Sequence, residues 1–178
     1  MDSVGEKTKQ NLGRERMGRR KLKKVQRYEV LAKGVSAGDL EDLVGHRKYF
    51  AGIFREHQLD KIMVTSLPIS LIINIAGAHW ISIYISDGRI EIFDPLGGVF
   101  IREKADCIRN FVARYMNCKT IYLSPRLQHD DSNLCGLFAT HFIISKSQEK
   151  SFKKIVSTFD CGNDKGTNDT YLLNKYTY

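Results

Sequence analysis

The fold is decided by residues 79–94, which read HWISIYISDGRIEIFD. Two runs in which apolar and polar side chains alternate flank the dipeptide Asp87-Gly88, an arrangement typical of a β-hairpin with a type I′ turn. If these two residues form the centre of the turn, Ile83 faces Ile92 across the hairpin. The sequence therefore predicts both the hairpin and its register.

One face of this hairpin is apolar and ends in two polar residues. The apolar residues are Ile81, Ile83, Ile85, Ile90 and Ile92. His79 and Asp94 lie beyond them as diagonal neighbours, about 7–8 Å apart, which allows an imidazole and a carboxylate to meet. Such a carboxylate fixes the tautomer of the ring and stabilises its protonated form. A hairpin end with two solvated polar side chains is the alternative that this pair alone leaves open.

Around the hairpin, the pattern of apolar residues predicts a domain that mixes strands and helices. Helices are predicted over residues 39–44, 100–116, 134–145 and 152–159, and strands over residues 61–65, 69–76 and 120–123. Tyr49, Phe50 and Phe54 have a spacing that fits a helix, and residues 161–170 are expected to form a polar loop. We therefore expect an α+β fold with a mixed or antiparallel central sheet flanked by helices.

The length and composition of the chain fit one globular domain. Of its 178 residues, 42% are hydrophobic and 27% are charged, which excludes wholesale disorder. Polar residues interrupt the longest apolar stretch, residues 67–80, so we expect no membrane span. The N-terminus lacks the apolar segment of a secretory signal, which favours a location inside a cell or a particle assembled there, with cysteines as thiols. Neither CxxC nor HExxH occurs, so no metal site is expected.

Positive charge is concentrated at the N-terminus. The chain has a formal net charge of +8, and residues 1–34 hold 11 basic and four acidic side chains, a net charge of +7. Large apolar residues are rare in this segment, so it cannot bury enough surface to offset the entropy of ordering. We therefore expect a flexible basic arm over residues 1–34 and a single folded domain over residues 35–178.

A second set of candidate site residues surrounds Cys135. The segment QHDDSNLCGLFATH, residues 128–141, places the favourable N-caps Ser132 and Asn133 before an apolar helix, so that Cys135 lies in its first turn. The unpaired amides and the positive end of the helix dipole there favour a thiolate. Gln128 has amide hydrogens that can bind a developing oxyanion together with the Cys135 backbone amide. Taken singly, an inert buried cysteine and a solvated glutamine are the ordinary alternatives.

In chain order, these residues form a set of motifs with a known counterpart. The motifs are GAHW at 77–80, IFDP at 92–95, and a glutamine followed seven positions later by Cys-Gly (Gln128, Cys135 and Gly136). They resemble the catalytic signatures of the adenovirus-type (adenain-like) and Ulp1-type cysteine proteases. YFAGIF at 49–54 also resembles a segment of the adenovirus maturation protease. The resemblance covers roughly half the chain and implies the papain-like cysteine protease arrangement of the adenovirus and Ulp1 type.

The resemblance implies a role for each site residue. The general base would be His79, its orienting group Asp94, the oxyanion donor Gln128 and the nucleophile Cys135, with Trp80 packed near the base. Three departures from the adenovirus enzymes stand out. Asp94 occupies a position where those enzymes usually have Glu, and Asp is the Ulp1-type choice. Only 43 residues follow Cys135, and the basic arm before Tyr49 is an addition.

The function that the resemblance implies is that of a viral cysteine endopeptidase. It would process capsid or core precursor proteins during virion maturation, cleaving near Gly-Gly or Gly-X sites, in the virion and in the host-cell nucleus or a cytoplasmic virus factory. The residues themselves require no cofactor, but the resemblance implies DNA and an activating peptide. Cys118 lies close to where the adenovirus protease has the cysteine that forms a disulfide with its activating peptide. A free surface thiol is the alternative for Cys118.

Two other functions are compatible with the sequence. A Ulp1-type deconjugating protease for ubiquitin-like modifiers would suit Asp94, and a non-catalytic DNA-packaging protein would suit the basic arm. The densest basic cluster of the arm consists of Arg19, Arg20, Lys21, Lys23 and Lys24. Clustered positive charge without a base-reading motif indicates a polyanion as the ligand. We favour DNA contacts by this cluster because the resemblance implies it, since the related adenovirus enzyme uses viral DNA as a cofactor. Nuclear targeting and a solvated tail are the alternatives.

Overall fold

A five-stranded sheet organises the chain within residues 26–98, 106–115, 120–162 and 166–177, which the computed structural model describes. Its strands are β1 (Phe50–Arg55), β2 (Ile69–Ile75), β3 (His79–Ser86), β4 (Arg89–Phe93) and β5 (Thr120–Leu123), and they lie side by side in this order. The β2–β3 and β3–β4 pairs are antiparallel, whereas β1–β2 and β4–β5 are parallel. The predicted α+β fold with a mixed sheet is confirmed.

Helices cover both faces of the sheet. They are α1 (Ala37–Val44), a 3-10 helix (Glu56–Lys61), α2 (Asp106–Ala113), α3 (Cys135–Ser147), α4 (Phe152–Val156) and α5 (Gly166–Tyr176). The helices predicted at 39–44, 134–145 and 152–159 are confirmed within a few residues. Of the helix predicted over residues 100–116, the part seen as α2 is confirmed, while residues 100–105 and 116 lie outside the described ranges.

The hairpin has the predicted register. Ile83 pairs with Ile92 and Ile85 with Ile90 across β3 and β4. Of the two turn residues only Gly88 has a positive φ, +75°, which glycine adopts without the steric cost of a side chain. The predicted type I′ turn is wrong, because that turn needs a positive φ at Asp87 as well. The local signal in Asp87-Gly88 was nevertheless sufficient to set which side chains share a face.

Two hydrophobic cores lie on opposite faces of the sheet. On one face, the isoleucines of the hairpin pack with Leu59 of the 3-10 helix and with Ile108 and Phe111 of α2. On the other face, Ile72 and Phe93 pack with residues of α3. Each fully buried side chain of this size contributes roughly 1.5–3 kcal/mol, so both layers fix the hairpin between them.

Helix α3 is buried along almost its whole length. A helix that is apolar on all sides belongs inside a protein, where it has no solvent-facing stripe. It lies between the sheet and helices α1 and α5, and stacked Phe93 and Phe142 rings, 4.9 Å apart, join it to β4. The position of its first residue, Cys135, is consequently fixed by the core.

Three local predictions are wrong. Residues 50–55, with the aromatic spacing that suggested a helix, form β1, because they pair in parallel with β2, which is distant in the sequence. The strand predicted at 61–65 does not form: Lys61 ends the 3-10 helix, and the Val64 amide donates to the Tyr115 hydroxyl instead of to a neighbouring strand. Of the loop predicted at 161–170, residues 166–170 belong instead to α5, whose Leu172 is buried in the α3 core, while residues 161 and 162 are not helical and 163–165 lie outside the described ranges.

The folded domain begins before residue 35. Residues 26–32 are helical, and Leu31 is only 3% exposed because it packs into the α3 core. The arm predicted over residues 1–34 therefore extends too far into the chain, and its basic cluster at 19–24 lies outside the described residues. Among the described helices, none is long and apolar enough to cross a membrane.

A buried ion pair joins α3 to β4. The Lys146 ammonium lies 2.8 Å from the Glu91 carboxylate, both side chains are nearly inaccessible to solvent, and the ammonium also lies over the Tyr84 ring. Two charges removed from water are tolerated only while they remain paired. The pair is therefore a sensitive point of the α3–sheet interface.

Replacement of Lys146 by alanine should lower the free energy of unfolding by up to about 3–5 kcal/mol, because the buried Glu91 carboxylate then keeps only the half-exposed Arg89 guanidinium, whose Nε lies 3.8 Å from Oε1, as a counter-charge. Urea unfolding followed by circular dichroism measures this. Lys153→Ala, at an exposed position of α4, is the matched control, with an expected change within about 0.5 kcal/mol. Equal stability of the Lys146 and Lys153 variants would show that the pair does not hold α3 to the sheet.

Candidate active site

The open end of the hairpin joins His79 to Asp94. His79 is the first residue of β3, Asp94 follows the last residue of β4, and their Nε2 and Oδ1 atoms are 2.8 Å apart. Asp94 is 0% exposed and His79 is also buried. The alternative of two solvated polar side chains is therefore wrong, and the pair forms a buried hydrogen bond.

The Asp94 carboxylate is fixed by the turn that follows it. Oδ1 also accepts a hydrogen bond from the Leu96 amide at 2.9 Å, and Oδ2 accepts one from the Gly98 amide at 3.0 Å. Gly98 has a φ of +79°, and a Cβ atom there would lie 2.7 Å from Leu123 Cδ2. The Ser124 hydroxyl holds the Asp94 backbone, since it accepts from the amide at 2.8 Å and donates to the carbonyl at 2.6 Å. The orientation of the carboxylate is thus set on all sides.

The nucleophile candidate Cys135 is the first residue of α3. Its N-cap is Leu134, without a side-chain hydrogen bond, so the prediction that Ser132 or Asn133 caps the helix is wrong. The Ser132 hydroxyl instead accepts a hydrogen bond from the Leu134 amide at 3.2 Å. Leu134 precedes the first helical residue, so this bond stabilises the loop and does not cap the helix. Cys135 is 7% exposed. Because it is the first residue of the helix, its backbone amide is one of those that have no partner within the helix.

Gly136 allows the chain to close around this cysteine. A Cβ atom on Gly136 would lie 2.0 Å from Val35 Cγ2 and 3.2 Å from Trp80 Cδ1. Trp80 itself is held by a hydrogen bond of 3.2 Å from its indole N–H to the Val35 carbonyl. Any larger residue at position 136 would push this wall away from the sulfur.

Gln128 is held beside Cys135 by the turn that orients Asp94. The backbone amides of Leu127 and Gln128 donate to the Pro95 carbonyl at 2.8 and 3.0 Å. The Gln128 side chain donates from Nε2 to the Ser132 carbonyl at 2.6 Å. An amide nitrogen carries two hydrogens, so the second hydrogen of Nε2 remains for a ligand.

Three of the four predicted residues meet in one cavity of about 610 Å³. His79, Gln128 and Cys135 line it, and Asp94 lies behind His79. Residues 33–36 form part of its wall, and the sequence prediction had assigned the first two of them, Lys33 and Gly34, to the arm. A second cavity of about 520 Å³ shares Asn74, Gly77 and Trp80 with the first, so the two are adjacent.

The surroundings of His79 favour its protonated form. Burial lowers the pKa of the imidazole, but the hydrogen bonds and charges of Asp94 and of Cys135 outweigh burial and raise the pKa to about 9. Because Nε2 faces Asp94, the other ring nitrogen, Nδ1, is the one available to the sulfur. A cationic ring beside a thiol favours the nucleophilic thiolate.

The other candidates lie elsewhere. His141 is buried away from the cavity, with its Nδ1 atom 3.0 Å from the Tyr176 hydroxyl, and burial lowers its pKa to about 3. Cys118 and the basic cluster at 19–24 lie outside the described residues. Within the described part of the chain, no group of three or more His, Cys, Asp or Glu side chains could hold a metal ion.

Sequence reasoning missed the residues that hold the site together. The Ser124 hydroxyl binds the Asp94 backbone, the Pro95 carbonyl binds the amides of Leu127 and Gln128, and residues 33–36 line the cavity. No local sequence pattern predicts contacts of this kind. One signal was present: the consecutive glycines 97 and 98, directly after the IFDP motif, both have positive φ in a tight turn. Two adjacent glycines beside a candidate carboxylate indicate that backbone amides approach it closely.

No protein-family model matches the chain, and no curated protein matches it in sequence. Solved structures do match it. The central domain of the uncharacterized Lpg1148 protein from Legionella pneumophila aligns with a TM-score of 0.52 and 18% identity, over 81% of this chain and 97% of that chain. The ASFV pS273R protease aligns with a TM-score of 0.51 and 14% identity, over 72% of this chain.

The second alignment covers 59% of the ASFV protease, so this chain matches little more than half of that enzyme's length. At these identities the likeness concerns the fold. The chain has a mixed five-stranded sheet flanked by helices, and its structural neighbour, the ASFV protease, is a cysteine protease of the Ulp1-like fold. This agrees with the Ulp1-type resemblance of the motifs, whereas the adenovirus-type enzymes are not singled out by either match.

The charge on His79 should be visible in solution. NMR of histidine-labelled protein should show one ring that titrates near pH 9 and moves to lower pH in Asp94→Asn, because the carboxylate charge is lost. His141 is the internal control and should stay neutral above pH 5. Because the folded-state pKa of His79 is raised from 6.5, its contribution to stability is complete below pH 6.5 and is lost as the pH rises through about 9. A ring that titrates near 6.5 in both proteins would contradict the pairing.

Proposed function

We propose that this chain is a cysteine endopeptidase in which Cys135 is the nucleophile, His79 the general base and acid, Asp94 its orienting group and Gln128 an oxyanion donor. The observation that carries the proposal is the position of His79 between a buried carboxylate and the first residue of α3, at the wall of an open cavity. A structural ion pair has no need of a thiol on its far side or of an amide donor across the cavity. The common fold with a cysteine protease supports the same reading.

The proposed reaction has two halves, the acylation of Cys135 and the hydrolysis of the resulting thioester, and the same site residues act in both. The Cys135 thiolate attacks the scissile carbonyl carbon, and the resulting oxyanion receives hydrogen bonds from Gln128 Nε2 and the Cys135 backbone amide. The His79 imidazolium gives its proton to the leaving amine, and a thioester forms. His79 then takes a proton from water, which hydrolyses the thioester and restores the thiolate. Asp94 keeps the ring in the required orientation throughout.

We propose further that the enzyme matures a virus particle by cutting capsid or core precursor proteins near Gly-Gly or Gly-X sites. In that role it would act in the virion and in the host-cell nucleus or a cytoplasmic virus factory. Support comes from the motif resemblance and from the fold likeness to the ASFV protease.

A deconjugating protease for ubiquitin-like modifiers is the second candidate, and Asp94 in place of Glu favours it. Both candidates use the same four residues, so only the substrate separates them. Two substrates should be offered together at equal concentration. One is a fusion protein that carries a ubiquitin-like modifier, and the other is a capsid precursor that contains a Gly-Gly site. Preferential cleavage of the precursor supports maturation, and preferential cleavage of the fusion supports deconjugation.

Replacement of Cys135 by alanine should abolish cleavage of a Gly-Gly peptide while the fold is retained, because covalent catalysis loses its nucleophile. In the unmodified protein, limiting iodoacetamide should label Cys135 before Cys161, although Cys161 is the more exposed thiol. Peptide-mapping mass spectrometry measures the order of labelling. Cys161→Ala is the matched control and should cleave at the normal rate. Substantial cleavage by Cys135→Ala would refute the assignment.

We also propose that the basic arm binds DNA and that an activating peptide, through Cys118, is a second cofactor. The part of the arm before the helix at 26–32 holds nine basic and three acidic side chains. If six to eight of its charges contact phosphates, log affinity should fall with log salt at a slope of about −5 to −7, without sequence preference.

Deletion of residues 1–25 should abolish binding of duplex DNA and preserve cleavage of a short peptide, because the charges are removed and the packed Leu31 is kept. Fluorescence anisotropy over a salt series measures the binding. Substitution of the five residues Arg19, Arg20, Lys21, Lys23 and Lys24 by glutamine is the length-matched control and should weaken binding in the same direction. Equal affinity of the deleted and intact chains would show that DNA binds elsewhere.

A further inference from the structure

Helix α5 contacts the loop that carries Gln128. Asn168, in the first turn of this helix, donates from Nδ2 to the Leu127 carbonyl at 2.8 Å. The two residues are 41 positions apart in the sequence, and Asn168 is only 3% exposed. The carbonyl that Asn168 holds belongs to the residue directly before the oxyanion donor.

The Asn168 side chain is itself rigidly held. Its Nδ2 atom also donates to the Asp160 carbonyl at 2.7 Å, and its Oδ1 atom accepts from the Asp160 amide at 2.8 Å. Both amide hydrogens are therefore engaged, and the oxygen has a partner. A buried side chain fixed at three points can transmit a fixed position to Leu127.

The loop is held at three further points by hydrogen bonds that the structure shows. The Gln128 side chain donates from Nε2 to the Ser132 carbonyl at 2.6 Å. The Pro95 carbonyl accepts from the amides of Leu127 and Gln128 at 2.8 and 3.0 Å. The Leu127–Gln128 segment is thus fixed by Asn168 through the Leu127 carbonyl and by Pro95 through the two amides.

We propose that Asn168 is a positioning residue for the oxyanion donor, an inference that rests on the proposed cysteine protease function. Its role is to keep the second hydrogen of Gln128 Nε2 aimed at the oxyanion. Asn168 does not touch the substrate. Helix α5 then contributes to catalysis through the position of Gln128. Changes in this contact should therefore alter turnover and leave substrate affinity unchanged.

The expected size of the effect follows from the bond that Gln128 supplies. Loss of one oxyanion donor costs about 10²–10³-fold in turnover, and a displacement of about 1 Å can cost on the order of 10²-fold. Asn168→Ala should therefore lower kcat by roughly 10- to 100-fold, less than Gln128→Ala, with KM changed by less than about twofold. Asn174→Ala, the same residue type at an exposed position of α5, is the matched control and should leave kcat unchanged.

A double-mutant cycle with Gln128→Ala tests the proposal. Once the donor is absent, its positioning no longer matters, so Asn168→Ala should lower kcat by less than about twofold in the Gln128→Ala background. The probes are a fluorogenic Gly-Gly peptide for turnover and iodoacetamide for the thiol. Alkylation forms no oxyanion, so the Cys135 alkylation rate of Asn168→Ala should equal that of the unmodified protein.

The same loss of kcat in both backgrounds, or a parallel loss of turnover and alkylation, would overturn the proposal, since either indicates general damage to the fold. If Asn168→Ala does not fold by circular dichroism, Asn168→Ser, which keeps a polar side chain at this buried position, passes through the same cycle under the same criteria. Failure of the protease function has a different signature, because the unmodified protein itself would then cleave no peptide and show no preference for alkylation at Cys135. That result would overturn both proposals together.

Discussion

The hydrogen bond between His79 and Asp94 is the constraint on which the rest of the site depends. A carboxylate with no exposed surface is costly to bury, and here the ring and two backbone amides compensate that cost. To supply those amides, the chain turns sharply through its two glycines after β4. The same turn presents the Pro95 carbonyl to Leu127 and Gln128. One short segment therefore places both the base and the oxyanion donor.

The nucleophile reaches this segment because of the core. Helix α3 is buried between the sheet and the outer helices, and the Glu91–Lys146 pair together with the Phe93–Phe142 stack fixes its position along β4. Its first residue, Cys135, then lies at the edge where the apolar layers end and water can enter. The two ends of this helix therefore have different roles. The end with Lys146 makes a buried contact that stabilises the fold, and the end with Cys135 presents a thiol to the cavity.

Local features of the sequence predicted the parts of the structure that local chemistry controls. The Asp-Gly turn set the register of the hairpin, and the register brought His79 beside Asp94. The position of β1 could not be predicted in this way, because its aromatic spacing fits a helix and only the parallel partner β2 makes it a strand. The roles of residues 33–36 and of Asn168 could not be predicted for the same reason. Val35 binds Trp80 and Asn168 binds Leu127, and in both pairs the partners are more than 40 positions apart in the sequence. The motifs, by contrast, pointed to His79, Gln128 and Cys135, which the structure brings together in one cavity, because the spacing of the motifs in the chain is specific.

The most direct test of the account is to trap the acyl-enzyme. The protein is mixed at low pH with a peptide thioester ending in Gly-Gly, quenched in acid, and analysed by intact-mass and peptide-mapping mass spectrometry. The account predicts one peptide acyl group per protein molecule, attached to Cys135 and absent from His79→Ala. Acylation of Cys161 or Cys107 at a similar rate, or equal acylation of Cys135 without His79, would contradict it.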